Sequence, residues 1–322
     1  MKGNRKHTAL WLSVLALIVL GGVIFIAVHF FTVREKQAEQ AGQDPESNLV
    51  ESSSAADEPA ADDGQGLPDE MPSVIHPEGA TLQERVAAPE GFARTEAGKD
   101  SLETFLREYP LKKDGKPVLL YNGDRKGNQS AHAAVFKLPI ENEDLQQCAD
   151  SVMRVYAEYF WKTKQYDRIS FRFVDGFQAD YVKWRQGNRI QTGNSTYWVS
   201  GGSYDASYDC LKKYLRMVFA YAGTLSMKDE SKKVKLSKIR TGDIFLNPGS
   251  PGHVVMVVDV CKNAEGKKAF LLGQGYMPAQ EFHLLKNPAH EEDPWYYEEE
   301  ITYPLMTPEY VFEKGMLRRP LY

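Results

Sequence analysis

Cysteine is scarce: 322 residues carry three, Cys148, Cys210 and Cys261. So few thiols exclude a disulfide scaffold, and an odd count leaves at least one unpaired in each monomer. A chain of this length can be held by an apolar core instead. Basic patches interleaved with aromatics are missing, which excludes nucleic acid as a partner. Metal-ligand spacing is missing as well, since His283 and His290 have no His, Cys or Asp at a matching interval, so no metal or other cofactor is expected. No internal repeat is present.

Charge is absent from one stretch and one-sided in the next. Residues Ala9–Phe31 hold no acid and no base apart from His29. A helix over those residues would be about 34 Å long, enough to cross a hydrocarbon core. The run stays bulky to its end, at Phe30 and Phe31, where a cleaved signal would finish on small residues. The expectation is a single-pass anchor in the cell membrane, contacting lipid through residues 9–31. Lys2, Arg5 and Lys6 keep residues 1–8 in the cytoplasm and send the rest outside.

Between Glu35 and Glu90 there are fourteen acids and two bases, a net of −12, with almost no aromatics. Such a composition cannot bury enough apolar area to offset its ordering entropy, so residues 32–90 are expected to form a disordered acidic linker. Residues 91–322, left with about +3 of the total charge of −5, are nearly neutral and form the extracytoplasmic domain.

Within that domain, Ser101–Tyr109 reads as a short helix with Ser101 as its cap and Pro110 as its stop. Pro117–Tyr121, Ala131–Ile140 and Ile169–Val174 read as strands, and Phe177–Arg185 as an aromatic, helical segment. The strongest helical pattern is Glu143–Thr163, where Leu145, Cys148, Ala149, Val152, Tyr156, Tyr159 and Phe160 form one apolar stripe. On that stripe Cys148 reads as a small core residue rather than a reactive thiol. Ser207–Ala222 is a second amphipathic helix, capped by Ser207 and closed by Gly223. A strand pair follows, Ile244–Leu246 and Val254–Val260, joined by the turn Asn247–Gly252. The second of these strands is apolar on both faces and belongs in the middle of a sheet. The last fifty residues are expected to be mostly irregular. Together these elements indicate an α+β class with a largely antiparallel sheet.

Two resemblances carry functional content. LQQCADSVMRVYAEY (145–159), SYDCLKKYLRMVFAYAGTLS (207–226), GDIFLNPGSPGHVVMVVDV (242–260), FLLGQGYMPAQEFHLLKNP (270–288) and TPEYVF (307–312) make residues 91–322 resemble the bacterial family called domain of unknown function 4846. Residues 209–275 alone are similar in order and spacing to NlpC-type cysteine peptidases, papain-like amidases that cut wall peptides. That likeness rests on Asp209-Cys210 opening a helix, the strand after Gly242-Asp243, the Gly-Ser-Pro-Gly turn before His253, and a strand ending at Gln274. It implies a papain-like core with Cys210 as nucleophile, His253 as base and Gln274 as the residue that orients the imidazole. The peptidases usually follow Asp-Cys with small residues, whereas Leu211-Lys212 stand here. Two functions therefore remain open. One is hydrolysis of cell-wall (peptidoglycan) peptides. The other is a non-catalytic envelope module that binds through the same fold, with Tyr276 and Trp295-Tyr296-Tyr297 lining a groove.

Overall fold

Val254–Val260 is apolar at every position but Asp259, and a strand of that kind must be covered on both faces. The computed structural model describes residues 73–322 and places this stretch at the centre of a nine-stranded sheet. In chain order the strands are β1 (Phe92–Arg94), β2 (His132–Val135), β3 (Ser231–Lys233), β4 (Ile244–Asn247), β5 (His253–Asn263), β6 (Lys268–Gln274), β7 (His283–Leu285), β8 (Tyr296–Tyr297) and β9 (Leu317–Pro320). The order across the sheet is β2-β7-β6-β5-β4-β9-β3, with β1 continuing the β4 edge of β5 and β8 continuing the β7 edge of β6. Every pairing is antiparallel.

Among the described residues six α-helices accompany the sheet: α1 (Leu82–Arg85), α2 (Leu102–Arg107), α3 (Cys148–Lys162), α4 (Tyr181–Arg185), α5 (Tyr208–Tyr221) and α6 (Thr224–Asp229). Val254, Met256 and Val258 point into one core together with the inward stripes of α3 and α5. Val255 and Val257 point the other way, into a second core closed by Leu305, Phe312 and Leu317. Five valines of β5 are thus buried, each contributing about 1.5–3 kcal/mol relative to exposure. The register slips between Leu271 and Leu272, so β5 carries one extra residue at that point. The resulting bulge turns Asp259 towards α2, where it meets Arg107 at 2.7 Å and Arg94 of β1 at 2.6 Å. A fully buried carboxylate is thereby paired with two guanidiniums.

The α+β class and the antiparallel sheet are as expected; several boundaries are not. The helix expected from Glu143 begins at Cys148, with Gln147 at its cap and Asp150 accepting the Gln147 N–H. Pro117–Tyr121 forms only isolated bridges, Leu119 with Arg125 and Leu120 with Gln280. Gln178–Asp180 is half of a small hairpin with Ser170–Arg172, and α4 starts only at Tyr181. The C-terminal segment, expected to be irregular, supplies β7, β8 and β9, and β9 lies inside the sheet between β4 and β3. Residues 73–90, assigned to the linker, are packed: Leu82 and Val86 are buried, and Arg85 donates to Gly79 O and Asp114. Asp243 is buried and grips Arg319 of β9 through both carboxylate oxygens. The expected membrane helix and the rest of the linker lie outside the described residues. Among the described residues no helix is long and apolar enough to cross a membrane.

Candidate functional site

The turn before β5 is rigid for a local reason. Thr224, the first residue of α6, donates through Oγ1 to Gly249 O at 3.0 Å and accepts from Gly249 N at 3.2 Å. At Gly252 a Cβ would fall 2.5 Å from Thr224 Oγ1 and 2.7 Å from Asn247 O, so only glycine lets the chain pass this closely. His253 therefore emerges at a fixed place, opposite Asn247 of β4.

Its side chain is buried between two tyrosines. The rings of Tyr276 and Tyr310 each lie 4.6 Å from the imidazole, and Phe312 stacks beyond at 6.0 Å. Asn247 Nδ2 donates to Tyr310 OH at 2.7 Å and holds that ring in place. Nε2 of His253 lies 2.8 Å from Gln274 Oε1, on the neighbouring strand β6. The other end of the Gln274 amide, Nε2, donates to Glu309 Oε2 at 2.7 Å and sits 3.3 Å from His283 Nε2. His283 Nδ1 in turn faces Glu281 O at 2.9 Å. Lys126 Nζ donates to the same Glu309 oxygen at 2.5 Å.

These partners assign the protons. A carbonyl accepts from His283 Nδ1, so the lone pair of its Nε2 faces the Gln274 NH2. The Gln274 oxygen accepts, so His253 carries its proton on Nε2. No group among the described residues forms a hydrogen bond with His253 Nδ1, which keeps a free lone pair. Burial lowers the His253 imidazole to about 4, only partly offset by the Gln274 bond, and also lowers His283. Burial alone would raise Glu309, but the hydrogen bond and charge of the Lys126 ammonium act against it and keep the carboxyl low. The cluster is one ion pair and two neutral imidazoles, joined through one amide.

Of the three expected site residues, the structure brings His253 and Gln274 together. Cys210 is elsewhere: it lies in the first turn of α5, its N–H bonded to Ser207 Oγ, with Tyr181, Arg185, Arg189 and Asp205 around its thiol. The thiol placed at the start of β5 is that of Cys148. The backbone amides of Ala149, Val254 and Cys148 itself are near enough to its sulfur to favour the thiolate, and Val254 is the residue after His253. Burial and the neighbouring Asp150 nevertheless push this thiol up to about 11. Gly275, next to Gln274, presses on Ser151 and Gln147 at the start of α3. Cys148 lines a cleft of about 340 Å³ with Gln147, Phe219, Gly223, Gly252 and Met277 among its walls. Three larger clefts of about 520, 1000 and 770 Å³ lie around residues 73–91, 111–117 and 286–297, and no cysteine lines any of them.

Residues 82–319, from α1 to β9, match the family described as Domain of unknown function (4846). The chain belongs to this family. No curated protein and no solved structure matches. The 4846 match opens at Leu82, where packing of the described chain is already established, rather than at residue 91. Within the 4846 domain, Cys148 lies in the core as its stripe indicates, and sequence reasoning did not single out its place at the helix start or the grouping of Lys126, His283 and Glu309 around Gln274. For the helix start a signal existed, a cysteine followed two residues later by an acid able to cap it. For the others none did, since 183 residues separate Lys126 from Glu309. Trp295 and Tyr296, groove residues only in the binding-module reading, are buried in the core.

Proposed function

We propose that the domain is a papain-like thiol amidase in which Cys148 attacks, His253 is the general base and Gln274 orients the imidazole. The observation that carries this reading is the pairing of His253 Nε2 with Gln274, which leaves Nδ1 free on the residue before Val254, whose amide favours the Cys148 thiolate. A helix opening on a cysteine, a histidine heading the strand beneath it and a carboxamide on the next strand are the parts such chemistry needs. The positive end of α3 faces the sulfur, and its free N–H groups can stabilise an oxyanion.

Because thiol and imidazole are both neutral at rest, proton transfer accompanies attack. Cys148 Sγ bonds to the amide carbon while its proton passes to His253 Nδ1. The same proton then goes to the departing amine as the C–N bond breaks. Water activated by His253 opens the thioester and restores the thiol. The cleft walls combine glycine, alanine and Met277 with the carboxyl groups of Asp144 and Asp150, and their small residues leave room for an extended peptide with small side chains. The apolar run Ala9–Phe31 supports a membrane-tethered, extracytoplasmic setting, where wall peptides are the substrate to test.

The test uses the full chain with purified wall peptides and follows release of new amines. Cys148→Ala should abolish release and Cys210→Ala should leave it intact; equal activity in the wild type and Cys148→Ala ends this reading. One observation favours a second reading, a binding module without catalysis. A thiol held at about 11 beside an imidazole at about 4 is a pair far from the ionised state. Retention of wall peptides with no turnover by the wild type would support it.

A further inference from the structure

The Gln274 amide is symmetric enough to flip, and only one of its two orientations serves His253. With Oε1 towards the imidazole, His253 must carry its proton on Nε2 and offer the Nδ1 lone pair. With the amide reversed, Nε2 of Gln274 would donate to His253, the proton would move to Nδ1, and the base would be lost. Something has to fix the orientation, and β6 itself does not.

We propose that Glu309 is the positioning residue that sets the tautomer of His253, acting through Gln274, with Lys126 holding the carboxylate in place. This rests on the reading of His253 as general base. Glu309 accepts from Gln274 Nε2 at 2.7 Å. A flipped amide would turn its oxygen towards a carboxylate and towards the His283 lone pair, two repulsive contacts in a buried setting. Lys126 is 6% exposed on its side chain and Glu309 12%, so the pair is shielded from solvent and the carboxylate stays charged. Both acceptor bonds, from Gln274 and from Lys126, fall on the same oxygen, Oε2. His283 strengthens the bias, because its Nδ1–H is taken by Glu281 O and it can only accept from Gln274. Glu309 and Tyr310 sit together in the turn of the hairpin Leu305–Met306 with Val311–Phe312, so one short loop both stacks on the imidazole and fixes its proton.

The experiment reads the protonated nitrogen of His253 directly, by nitrogen NMR of the full chain labelled at histidine, with His253→Asn to assign its signals. The wild type should show a single tautomer with the proton on Nε2. Removing Glu309 alone would strand Lys126, so the informative variant is Lys126→Met with Glu309→Leu, which removes both charges together. In that variant both tautomers should appear, the Nε2–H form falling by about fivefold relative to the other, the ratio that one hydrogen bond supports. Glu309→Gln keeps an oxygen that can take both bonds and should restore the single tautomer. If a folded double variant keeps only the Nε2–H form, the proposal is overturned. Reaction of Cys148 with a peptide electrophile, measured alongside, separates the two layers. A changed tautomer with unchanged thiol reactivity upholds the positioning role and removes the catalytic one.

Discussion

Replacing Gly275 with alanine should destabilise the domain and loosen the start of α3, where Cys148 sits. A Cβ at this position would lie 2.1 Å from Ser151 Oγ, 2.9 Å from Ser151 Cβ and 3.1 Å from Gln147 O. The hydroxyl can rotate away, but the Ser151 Cβ and the Gln147 carbonyl belong to the helix itself, so the helix start must move. Overpacking of this kind costs about 1–3 kcal/mol. Alanine also removes freedom from the unfolded chain, worth about 0.4–1 kcal/mol in the opposite direction. Overpacking is the larger effect, and for a domain of this size each kcal/mol lowers Tm by about 2–4 °C. Ser151→Gly removes the two closest contacts and should recover much of the loss when combined with Gly275→Ala, although alone it costs about 0.5–1 kcal/mol as a glycine inside a helix. Thermal unfolding of the wild type, the two single variants and the double variant completes the cycle. A Gly275→Ala protein as stable as wild type, or a cycle with no coupling, would refute the close contact between β6 and the start of α3.

Asp259→Ala should cost about 3–5 kcal/mol in denaturant unfolding, since it strands Arg107 and Arg94 beside an empty carboxylate site. Stability should fall as the pH drops from about 6.5 towards 4. The unfolded chain protonates its histidine at the ordinary value while buried His253 stays neutral to about 4, so about 3 kcal/mol present above 6.5 is lost across that window. His253→Asn should flatten the pH dependence there, and an unchanged slope would contradict it. In native protein treated with iodoacetamide, the modified thiol should be Cys148, which lines a cleft, so Cys148→Ser should abolish labelling and Cys210→Ser should leave it unchanged. Peptide mapping by mass spectrometry reads the site.

Alternating and fully apolar runs act locally, and the sequence carried them: β4, β5 and β6 lie where their valines and leucines indicate, and Ser207 caps α5 as its hydroxyl suggests. His253 was legible as the residue heading that strand and Gln274 through the resemblance to NlpC-type peptidases, and the antiparallel pairing of β5 with β6 brings them within hydrogen-bond distance. Cys148 is the core residue its stripe indicates, but its place in the helix was not legible, because Glu143–Gln147 has good helix formers and the helix was carried five residues too far back. That boundary depends on tertiary contacts, with Asp144 accepting from Ala279 N and Gln146 donating to Pro139 O. Lys126, His283 and Glu309 come from three distant segments without helical or strand periodicity, and no local pattern ties them together. The sequence by itself determined which strand is central and which histidine stands at its head, because burial of an apolar strand is a property of its own residues. Only the tertiary structure decided which thiol lies beside that strand and which carboxylate sets the amide, because such partners meet through packing and leave no trace in local spacing.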